Sequence, residues 1–427
     1  MYRRKHNNAF MALLIKNIRE LVQVENKPKL KVSGKEMSKI KTISDAWIYI
    51  EGDTINDFGK MKDIPDFSKS WGMKMKVVDA ADRMVFPSFC DSHTHLVYAG
   101  SREIEYIDKI KGLSYEEIAE RGGGILNSAR RLHEATEDEL IEQALPRLQE
   151  IMMQGTGAVE IKSGYGLTVE DELKMLRVIS RLKFMTPLKI VPTFLGAHAV
   201  PLEFKGRQRE FVDMVINEMI PQVAAEELAD YIDVFCERGF FTVEDTERIL
   251  TAGMKYGMRA KIHANEMYHS GGVQVGVKYN ALSVDHLEYT GGAEIECLLG
   301  SETMPTILPG AAFFLGLEYA PARKMIDAGL PVALASDFNP GSSPSGNMQF
   351  ILAMACIKYR MLPQEAINAV TINSAYAMGL SEEYGSIAVG KKANLFITKP
   401  IPTYEFMPYA YGSNKVETVI LNGEIVK

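Results

Sequence analysis

The central part of the chain alternates short apolar runs with longer segments of helical periodicity. This alternation is typical of repeated βα units around a parallel sheet, which is an α/β fold. Eight parallel strands with intervening helices favour a closed (β/α)8 TIM barrel over an open sheet. The eight runs predicted to be strands are 85–93, 158–165, 189–198, 231–239, 260–266, 282–288, 303–310 and 332–340.

The segment 242–257 illustrates the helix signals between these strands. Thr242 is a predicted N-cap, and Asp245 falls in the first turn that follows it. Gly253 and Gly257 are candidate stops. Helices of this kind are expected to surround the barrel.

Both ends of the chain have a different pattern of apolar and polar residues. Short β-type runs separated by polar stretches occur between residues 12 and 79, and the segments 393–399 and 416–427 repeat that pattern. An Asn-Gly pair at 422–423 predicts a hairpin turn in the last segment. We therefore expect a small β-sandwich-like domain that is built from both chain ends.

The predicted division assigns residues 12–80 plus 385–427 to this composite β domain and residues 81–384 to the barrel. A chain of 427 residues has room for both, because a barrel needs about 250 residues. Residues 1–10 are assigned no structure, since Met11 can serve as the start.

Composition narrows the possible partners. A formal net charge of -7 and a pI near 5.8 argue against nucleic acid and membrane surfaces. No window approaches the roughly 18 apolar residues of a membrane span. The four cysteines lie far apart without a CxxC pair, which indicates a reducing, cytoplasmic location. A homodimer is the expected assembly.

Polar side chains collect at the carboxyl ends of the predicted strands. Barrel enzymes place their active sites at that face, whereas purely structural residues would scatter over the surface. The residues concerned are His93, His95, Tyr165, His198, Glu237, His263, Glu266, His286 and Asp337.

His93 and His95 form an HxH pair whose period-2 spacing directs both imidazoles to one side. Alone, the pair could equally be two surface or hydrogen-bonded histidines. Further imidazoles and a carboxylate at the same rim favour a catalytic zinc or iron site. The fourth strand run has no lysine to bridge two metals, so one metal is expected, and Lys162 is interpreted as a structural cation paired with a carboxylate.

Seven motifs give the chain a resemblance to the amidohydrolase superfamily, and within it to the ring-opening hydrolases of histidine degradation. The motifs are FCDSHTHLVYAGSRE (89–103), GGGI (122–125), EIKSGYGL (160–167), TFLGAHAVP (193–201), KIHANE (261–266), DHLE (285–288) and SDFNPGSSPS (336–345). The resemblance implies hydrolysis of 4-imidazolone-5-propanoate to N-formimidoyl-L-glutamate.

The resemblance also implies one Zn2+ or Fe3+ per chain, bound by His93, His95, His263 and Asp337. A Lewis-acid metal suits this reaction because it makes water nucleophilic at neutral pH. Glu266 is the expected general base, its alternative being an ordinary surface glutamate.

His286 is expected to orient the water or to stabilise negative charge on the substrate oxygen, and it could instead be a further ligand. Arg102 has the planar fork that binds a propionate carboxylate, against the alternative of a surface salt bridge. The glycine run 122–124 is interpreted as a flap over the site. The other positions that the resemblance assigns to substrate or product are Tyr165, His198, Glu266, Asn339, Gly341 and Ser342.

Three alternatives remain at this point. The chain could be a superfamily deaminase of a cyclic amidine or purine-like base, although such bases lack the carboxylate that Arg102 would bind. It could be a non-catalytic barrel, although all the proposed ligands are present. It could also act on a different substrate. One departure from the usual pattern is Asn265, where an aspartate is expected beside the proposed base.

Overall fold

The computed structural model describes residues 11–67, 74–113 and 123–427. Residues 1–10, to which no structure was assigned, lie outside the described residues. The strands, numbered in chain order, are β1 (Met11–Val22), β2 (Thr42–Glu51), β3 (Thr54–Lys60), β4 (Lys74–Asp79), β5 (Met84–Pro87), β6 (Phe89–Asp91), β7 (Thr156–Lys162), β8 (Lys189–Ala197), β9 (Tyr231–Cys236), β10 (Arg259–Ala264), β11 (Ser283–His286), β12 (Met304–Ile307), β13 (Ala333–Leu334), β14 (Leu395–Thr398), β15 (Val416–Leu421) and β16 (Glu424–Ile425).

Helices lie mainly between the strands of the central region. They are α1 (Glu103–Ile110), α2 (Ile125–Glu134), α3 (Glu137–Met153), α4 (Val169–Leu182), α5 (Gln208–Met214), α6 (Ile220–Ala225), α7 (Val243–Met254), α8 (Gly272–Lys278), α9 (Gly292–Leu299), α10 (Pro309–Leu315), α11 (Ala322–Ala328), α12 (Met348–Ile357), α13 (Pro363–Val370), α14 (Ile372–Ala377) and α15 (Phe406–Tyr409). Short 3-10 helices at Gly34–Ser38, Met61–Asp63 and Leu202–Phe204 and a π-helical turn at Val215–Met219 complete the described elements.

Strands β6 to β13 form one parallel sheet in consecutive order. Beyond its two edge strands the chain continues the pairing. The Asp337 amide donates to the His93 carbonyl at 3.0 Å, and the His95 amide donates to the Phe338 carbonyl at 2.9 Å. These bonds join the first and last strand ends, so the sheet closes as a barrel. The predicted (β/α)8 TIM barrel is confirmed.

The run 85–93 was predicted as one strand, and that was wrong. It contains β5, which pairs with β1 and β14 in the terminal sheet, and β6, which opens the barrel. The chain changes partners at Ser88. The Ser88 amide donates to the Asn394 carbonyl, and the Phe89 amide donates to the Gly155 carbonyl. Pro87, which has no N–H, precedes this switch.

Helix α7 confirms the predicted N-cap at Thr242. Its hydroxyl accepts from the Asp245 amide at 3.1 Å, and the Asp245 carboxylate accepts from the Thr242 amide at 3.2 Å. This capping box satisfies two amides that the first helical turn leaves unpaired. Gly257, in the left-handed region at φ 83°, follows the helix end.

The second sheet joins both chain ends in the order β16-β15-β14-β5-β1-β2-β3, with β4 also pairing with β1. Strand β1 changes partner along its length. Its first half pairs with β4 and its second half with β5, with a register shift between Ile15 and Ile18. This shift bends the strand, as a β-bulge does, and the terminal sheet folds over its own core of apolar side chains. The exact division at residues 80 and 385 stays a prediction.

The hairpin between β15 and β16 turns at Asn422 and Gly423, which have φ values of 52° and 75°. Two positive φ values are what the predicted Asn-Gly turn requires. Within the described part of the chain, no helix is both long enough and apolar enough to cross a membrane.

Candidate metal centre and active site

Four predicted ligands converge at the carboxyl end of the barrel. The Nε2 atom of His95 lies 3.3 Å from Nε2 of His93 and 3.4 Å from Nε2 of His263. Oδ1 of Asp337 lies 3.6 Å from Nε2 of both His93 and His95. Ligands held at zinc's usual bond lengths in a tetrahedron are separated by about 3.3–3.4 Å. The spacing therefore fits one metal ion.

The strand ends explain this convergence. His93 and His95 follow β6 with the alternation of an extended chain, so both rings face the barrel axis. His263 lies on β10, and Asp337 follows β13 with a left-handed φ of 54°. A left-handed aspartate is uncommon, and the bonds to the first strand hold it in place.

The far nitrogens of two ligands lie close to buried carboxylates. Nδ1 of His93 lies 2.7 Å from Oδ2 of Asp285, and Nδ1 of His263 lies 3.0 Å from Oδ2 of Asp233. A carboxylate near Nδ1 favours the tautomer with the proton on Nδ1 and leaves the lone pair on Nε2. Both rings are thus set to offer Nε2 to a metal ion.

Burial keeps His93 and His95 uncharged. It lowers the pKa of His93 and of His95 well below the usual range, with neighbouring positive groups adding to the effect. A neutral imidazole is the form that binds metals. Burial also raises the pKa of Asp337 to about 6. Nδ1 of His95 has no hydrogen-bond partner among the described residues.

Glu266 and His286 lie together beside this centre. Oε2 of Glu266 is 3.8 Å from Nε2 of His286, and burial raises the pKa of Glu266 to about 8, helped by the charges of Asp337 and Glu237. His286 and Leu287 have φ values of 82° and 72°. Such strain at a strand end is typical of functional sites.

His286 is close enough to the ligands to act as one of them. One atom from each of His93, His263 and His286 falls within 4.8 Å of the others. On its far side, Nδ1 of His286 lies 3.8 Å from Oε2 of Glu288, a buried carboxyl group. The choice between ligand and catalytic group therefore stays open.

In the described part of the chain, the Asn265 side chain is hydrogen-bonded to Tyr289 and Ser270 and not to the proposed base. Its amide donates to the Tyr289 carbonyl at 2.7 Å and accepts from both the amide and the hydroxyl of Ser270. Its φ is 57°, a left-handed conformation that asparagine tolerates well. The asparagine thus shapes the turn that carries Glu266.

Arg102 is close to the loop after the eighth strand. Its guanidinium pairs with the Glu105 carboxylate at 2.7 Å, and it packs so closely on Gly341 that a Cβ there would overlap it. Glu105 also accepts from the Gly124 amide and the Asn127 side chain. Arg102 is therefore held at the rim by a carboxylate that also fixes the start of α2.

The glycine run interpreted as a flap falls only partly within the described residues. Gly122 lies outside them. Gly124 has a φ of 79° and precedes α2, and its amide is bound by Glu105. The flap interpretation stays a prediction.

Tyr165 and His198 form one wall beside His95. The His198 ring stacks on that of His95 at 5.1 Å, and Tyr165 lies 5.5 Å from His198. His198 Nδ1 is 3.0 Å from the Gly164 carbonyl oxygen, and burial lowers the pKa of His198 to about 3. The Tyr165 turn is held by Glu172 of α4, whose carboxylate accepts from the backbone amides of the turn.

Asn339 organises the loop after β13. Its amide nitrogen donates to the Asp337 carbonyl and to the Ser342 hydroxyl, and its amide oxygen accepts from the Gly341 and Ser342 amides. An asparagine side chain has two donors and two acceptor positions, so its capacity is used within the loop. The Ser342 hydroxyl lies 3.3 Å from Oδ2 of Asp337.

Sequence reasoning missed the charged residues inside the barrel. Strands buried on both faces are normally near-continuous apolar runs, so a charged residue within one is itself a signal. The residues with this signal are Glu160, Asp233, Lys261 and Asp285. Lys162, interpreted as a structural cation, pairs with Glu160 at 2.6 Å and with Asp233 at 2.7 Å.

Comparisons with known proteins agree with this architecture. Residues 227–426 match the family model described as the Amidohydrolase family. A structure of 5-methylcytosine deaminase from Klebsiella pneumoniae has a TM-score of 0.72 at 18% identity, covering 97% of this chain and 98% of that one. An adenosine deaminase from Xanthomonas campestris, solved with bound zinc, has a TM-score of 0.68 at 16% identity, covering 97% and 92%. At such identities these structures show the fold alone.

The fold, the site and the family model together define the class of protein as an amidohydrolase. Within that class, the curated imidazolonepropionase of Flavobacterium johnsoniae is 56% identical over 416 residues, which are 97% of this chain and 100% of that protein. The chain belongs to the imidazolonepropionase family, the hydrolases of histidine degradation. This membership excludes the non-catalytic barrel considered above.

Proposed function

We propose that the chain hydrolyses 4-imidazolone-5-propanoate to N-formimidoyl-L-glutamate. The observation that carries the proposal is a three-histidine and aspartate centre with a guanidinium, that of Arg102, at the same barrel end. The relative from Flavobacterium johnsoniae bears the name of this activity.

His93, His95, His263 and Asp337 would hold one Zn2+ or Fe3+ per chain. The donor set supports this, because three imidazoles and one carboxylate suit such ions. A zinc-bound adenosine deaminase has the same fold. When bound, the metal supplies Lewis acidity that makes water nucleophilic near neutral pH.

Glu266 acts as general base. It takes a proton from the attacking water and returns it to the ring nitrogen whose bond to the carbonyl carbon breaks. Burial raises its pKa to about 8, so the carboxylate has a high affinity for the proton that it takes from water.

His286 stabilises the negative charge that develops on the carbonyl oxygen. It has a neutral ring, because burial lowers its pKa well below the usual range, so it would donate a hydrogen bond rather than a full charge. Its Nε2 atom faces Glu266. Base and charge stabiliser thus lie on one side of the centre.

Arg102 binds the propionate of the substrate. Its guanidinium already pairs with one carboxylate, that of Glu105, and a planar fork with five N–H donors can serve two partners. The substrate carboxylate would bind the guanidinium itself, because the amides of Gly341 and Ser342 already donate to Asn339. The proposed substrate has a carboxylate for Arg102 to bind, whereas the cyclic amidines and purine-like bases of the alternative deaminase lack one.

Tyr165 and His198 contact the imidazolone ring. They lie side by side next to His95, and a stack of aromatic rings with polar tips suits a flat heterocycle with donors and acceptors. Asn339 serves the substrate indirectly, by shaping the loop of Gly341 and Ser342.

We also propose a cytoplasmic homodimer. Helix α1 exposes Ile104 and Ile110 at 64% and 67%, apolar surface that a partner would cover. Light scattering on the purified protein measures the assembly directly, and a monomer would rule the dimer out.

The first test is a turnover assay with freshly generated 4-imidazolone-5-propanoate, followed by ultraviolet absorbance, with metal content measured on the same sample. Turnover that a chelator removes and added metal restores supports substrate and cofactor together. Protein that holds about one metal per chain and does not turn the compound over would reject the substrate and leave the metal site standing.

A further inference from the structure

A layer of charged side chains lies inside the barrel beneath the metal-ligand group. Its members have no solvent-exposed side-chain surface. Isolated buried charges are costly, so such a layer persists only when its members are paired. The layer consists of Glu160, Lys162, Asp233, Lys261 and Asp285.

Lys162 is the member that reaches two ligand-holding carboxylates at once. Its Nζ atom lies 2.7 Å from Oδ2 of Asp233 and 3.7 Å from Oδ2 of Asp285. The same two oxygen atoms contact Nδ1 of His263 at 3.0 Å and Nδ1 of His93 at 2.7 Å. One ammonium group is thus two contacts away from two of the four proposed ligands.

These contacts cross the barrel. Lys162 is on β7, Asp233 on β9 and Asp285 on β11, so the ammonium joins strands that are not neighbours in the sheet. Without it, two carboxylates would face each other in a dry interior. Their repulsion would turn them away from the rings that they orient.

We propose that Lys162 is a positioning residue for the metal centre. It holds Asp233 and Asp285 so that His263 and His93 keep their Nδ1 protons and present Nε2 to one point. This inference rests on the metal-ligand set proposed above. Partners that orient metal-bound histidines typically change metal affinity by 10–100-fold when removed.

Lys261 provides a matched control in the same layer. It is equally buried, and among the described residues its polar contacts are Glu160 and the carbonyl oxygens of Ser92 and Ala377, both at 3.1 Å. Its ammonium forms no direct salt bridge with either ligand-holding carboxylate among the described residues, although its charge also acts on Asp285. Loss of Lys261 removes a buried charge but leaves the contacts of Lys162 with Asp233 and Asp285 in place.

The experiment measures zinc affinity on metal-free protein by competition with a chromophoric chelator. Lys162→Met is expected to raise the dissociation constant for zinc by about 10–100-fold, and Lys261→Met by less than about 3-fold on the same reasoning. The cobalt(II) absorption spectrum, which reports ligand geometry, should change in Lys162→Met alone. Circular dichroism on both metal-free variants establishes that each is folded.

Each outcome is informative. Equal zinc affinity in wild type and Lys162→Met, or equal losses in both lysine variants, would overturn the positioning role. A wild-type protein that binds no zinc would instead reject the ligand set itself.

If Lys162→Met does not fold, Asp233→Asn and Asp285→Asn test the same contacts between the carboxylates and the ligand histidines. Each should weaken zinc binding by about 10-fold or more, because each replaces the anionic acceptor beside one ligand with a neutral amide. Unchanged affinity in both would overturn the inference.

Discussion

Asp337 has two roles at the centre, and each uses a different oxygen. Oδ1 faces His93 and His95, while Oδ2 accepts a hydrogen bond from Ser342. Its backbone amide also joins the first and last strand ends through His93. One residue therefore closes the barrel and supplies the only proposed carboxylate ligand.

Asp337→Ala should abolish metal binding and turnover together. Three imidazoles remain, but the anionic donor that balances the metal charge is lost. Metal analysis and the turnover assay on one preparation measure both properties. A fully active variant would remove Asp337 from the ligand set.

Glu266→Gln should keep the metal and lose turnover by about 10²–10⁴-fold, the usual contribution of a positioned base. The amide has nearly the same shape but cannot accept the water proton. Metal content is the control, and turnover within a few-fold of wild type would exclude Glu266 as the base.

Arg102→Ala should raise KM far more than it lowers kcat, because the carboxylate it binds is remote from the reacting bond. A loss of binding of about 2–3 kcal/mol is reasonable for a charged hydrogen-bond pair. Arg130→Ala, an exposed arginine on α2, is the control. Equal KM values for the two variants would contradict the assignment.

At the scale of elements, the loops after the strands hold these residues in position. The loop from Asp337 to Ser342 is held by the four hydrogen bonds of Asn339. After the second barrel strand, Glu172 binds the turn that presents Tyr165. Both loops are thus rigid supports, which is how barrel enzymes separate fold from chemistry.

Gly341→Ala tests the contact between two of these elements. The added methyl group would overlap the Arg102 guanidinium, the mobile end of a long side chain, so the arginine should move rather than the loop. We expect a raised KM with unfolding stability within about 1 kcal/mol of wild type. Gly292→Ala, where a Cβ meets open space, is the control. An unchanged KM would mean that Arg102 does not need its present position.

At the scale of the whole molecule, both chain ends meet in one sheet, and that sheet surrounds a core of its own. The barrel has the larger core, and its interior near the site contains neutral histidines. Folding therefore places several titratable rings where a charge is costly, which links stability to pH.

The pKa of His198 shows in which direction folding stability changes with pH. Its pKa is about 3 in the folded protein, while the unfolded value is near 6.5. Between these values the unfolded chain binds the extra proton, so the contribution of His198 to stability is present above pH 6.5 and is lost as the pH falls. From pH 7 to pH 5 the loss should be about 2 kcal/mol.

His198→Gln should remove that part of the pH dependence. Denaturant unfolding of the metal-free protein at pH 7 and pH 5 measures it, and the variant should lose about 2 kcal/mol less than wild type between the two values. Parallel losses would show that His198 is protonated in the folded state.

The sequence by itself predicted the barrel, the sheet from both chain ends and the gathering of polar side chains at the carboxyl end of the barrel. Repeated βα periodicity leaves few arrangements that bury both faces of a parallel sheet, and polar residues at strand ends must then meet at one rim. The Thr242 cap and the Asn422–Gly423 turn were predictable because local backbone geometry requires those residue types.

Only the tertiary structure decided what lies beneath and around the site. Lys162, Asp233 and Asp285 are far apart in the chain and on strands that are not adjacent, so no local pattern indicates that they share contacts. The partner switch at Ser88 and the pairing of Arg102 with Glu105 likewise depend on which segments pack together. Periodicity specifies which way a side chain points, but contacts across the barrel are set by closure of the whole sheet.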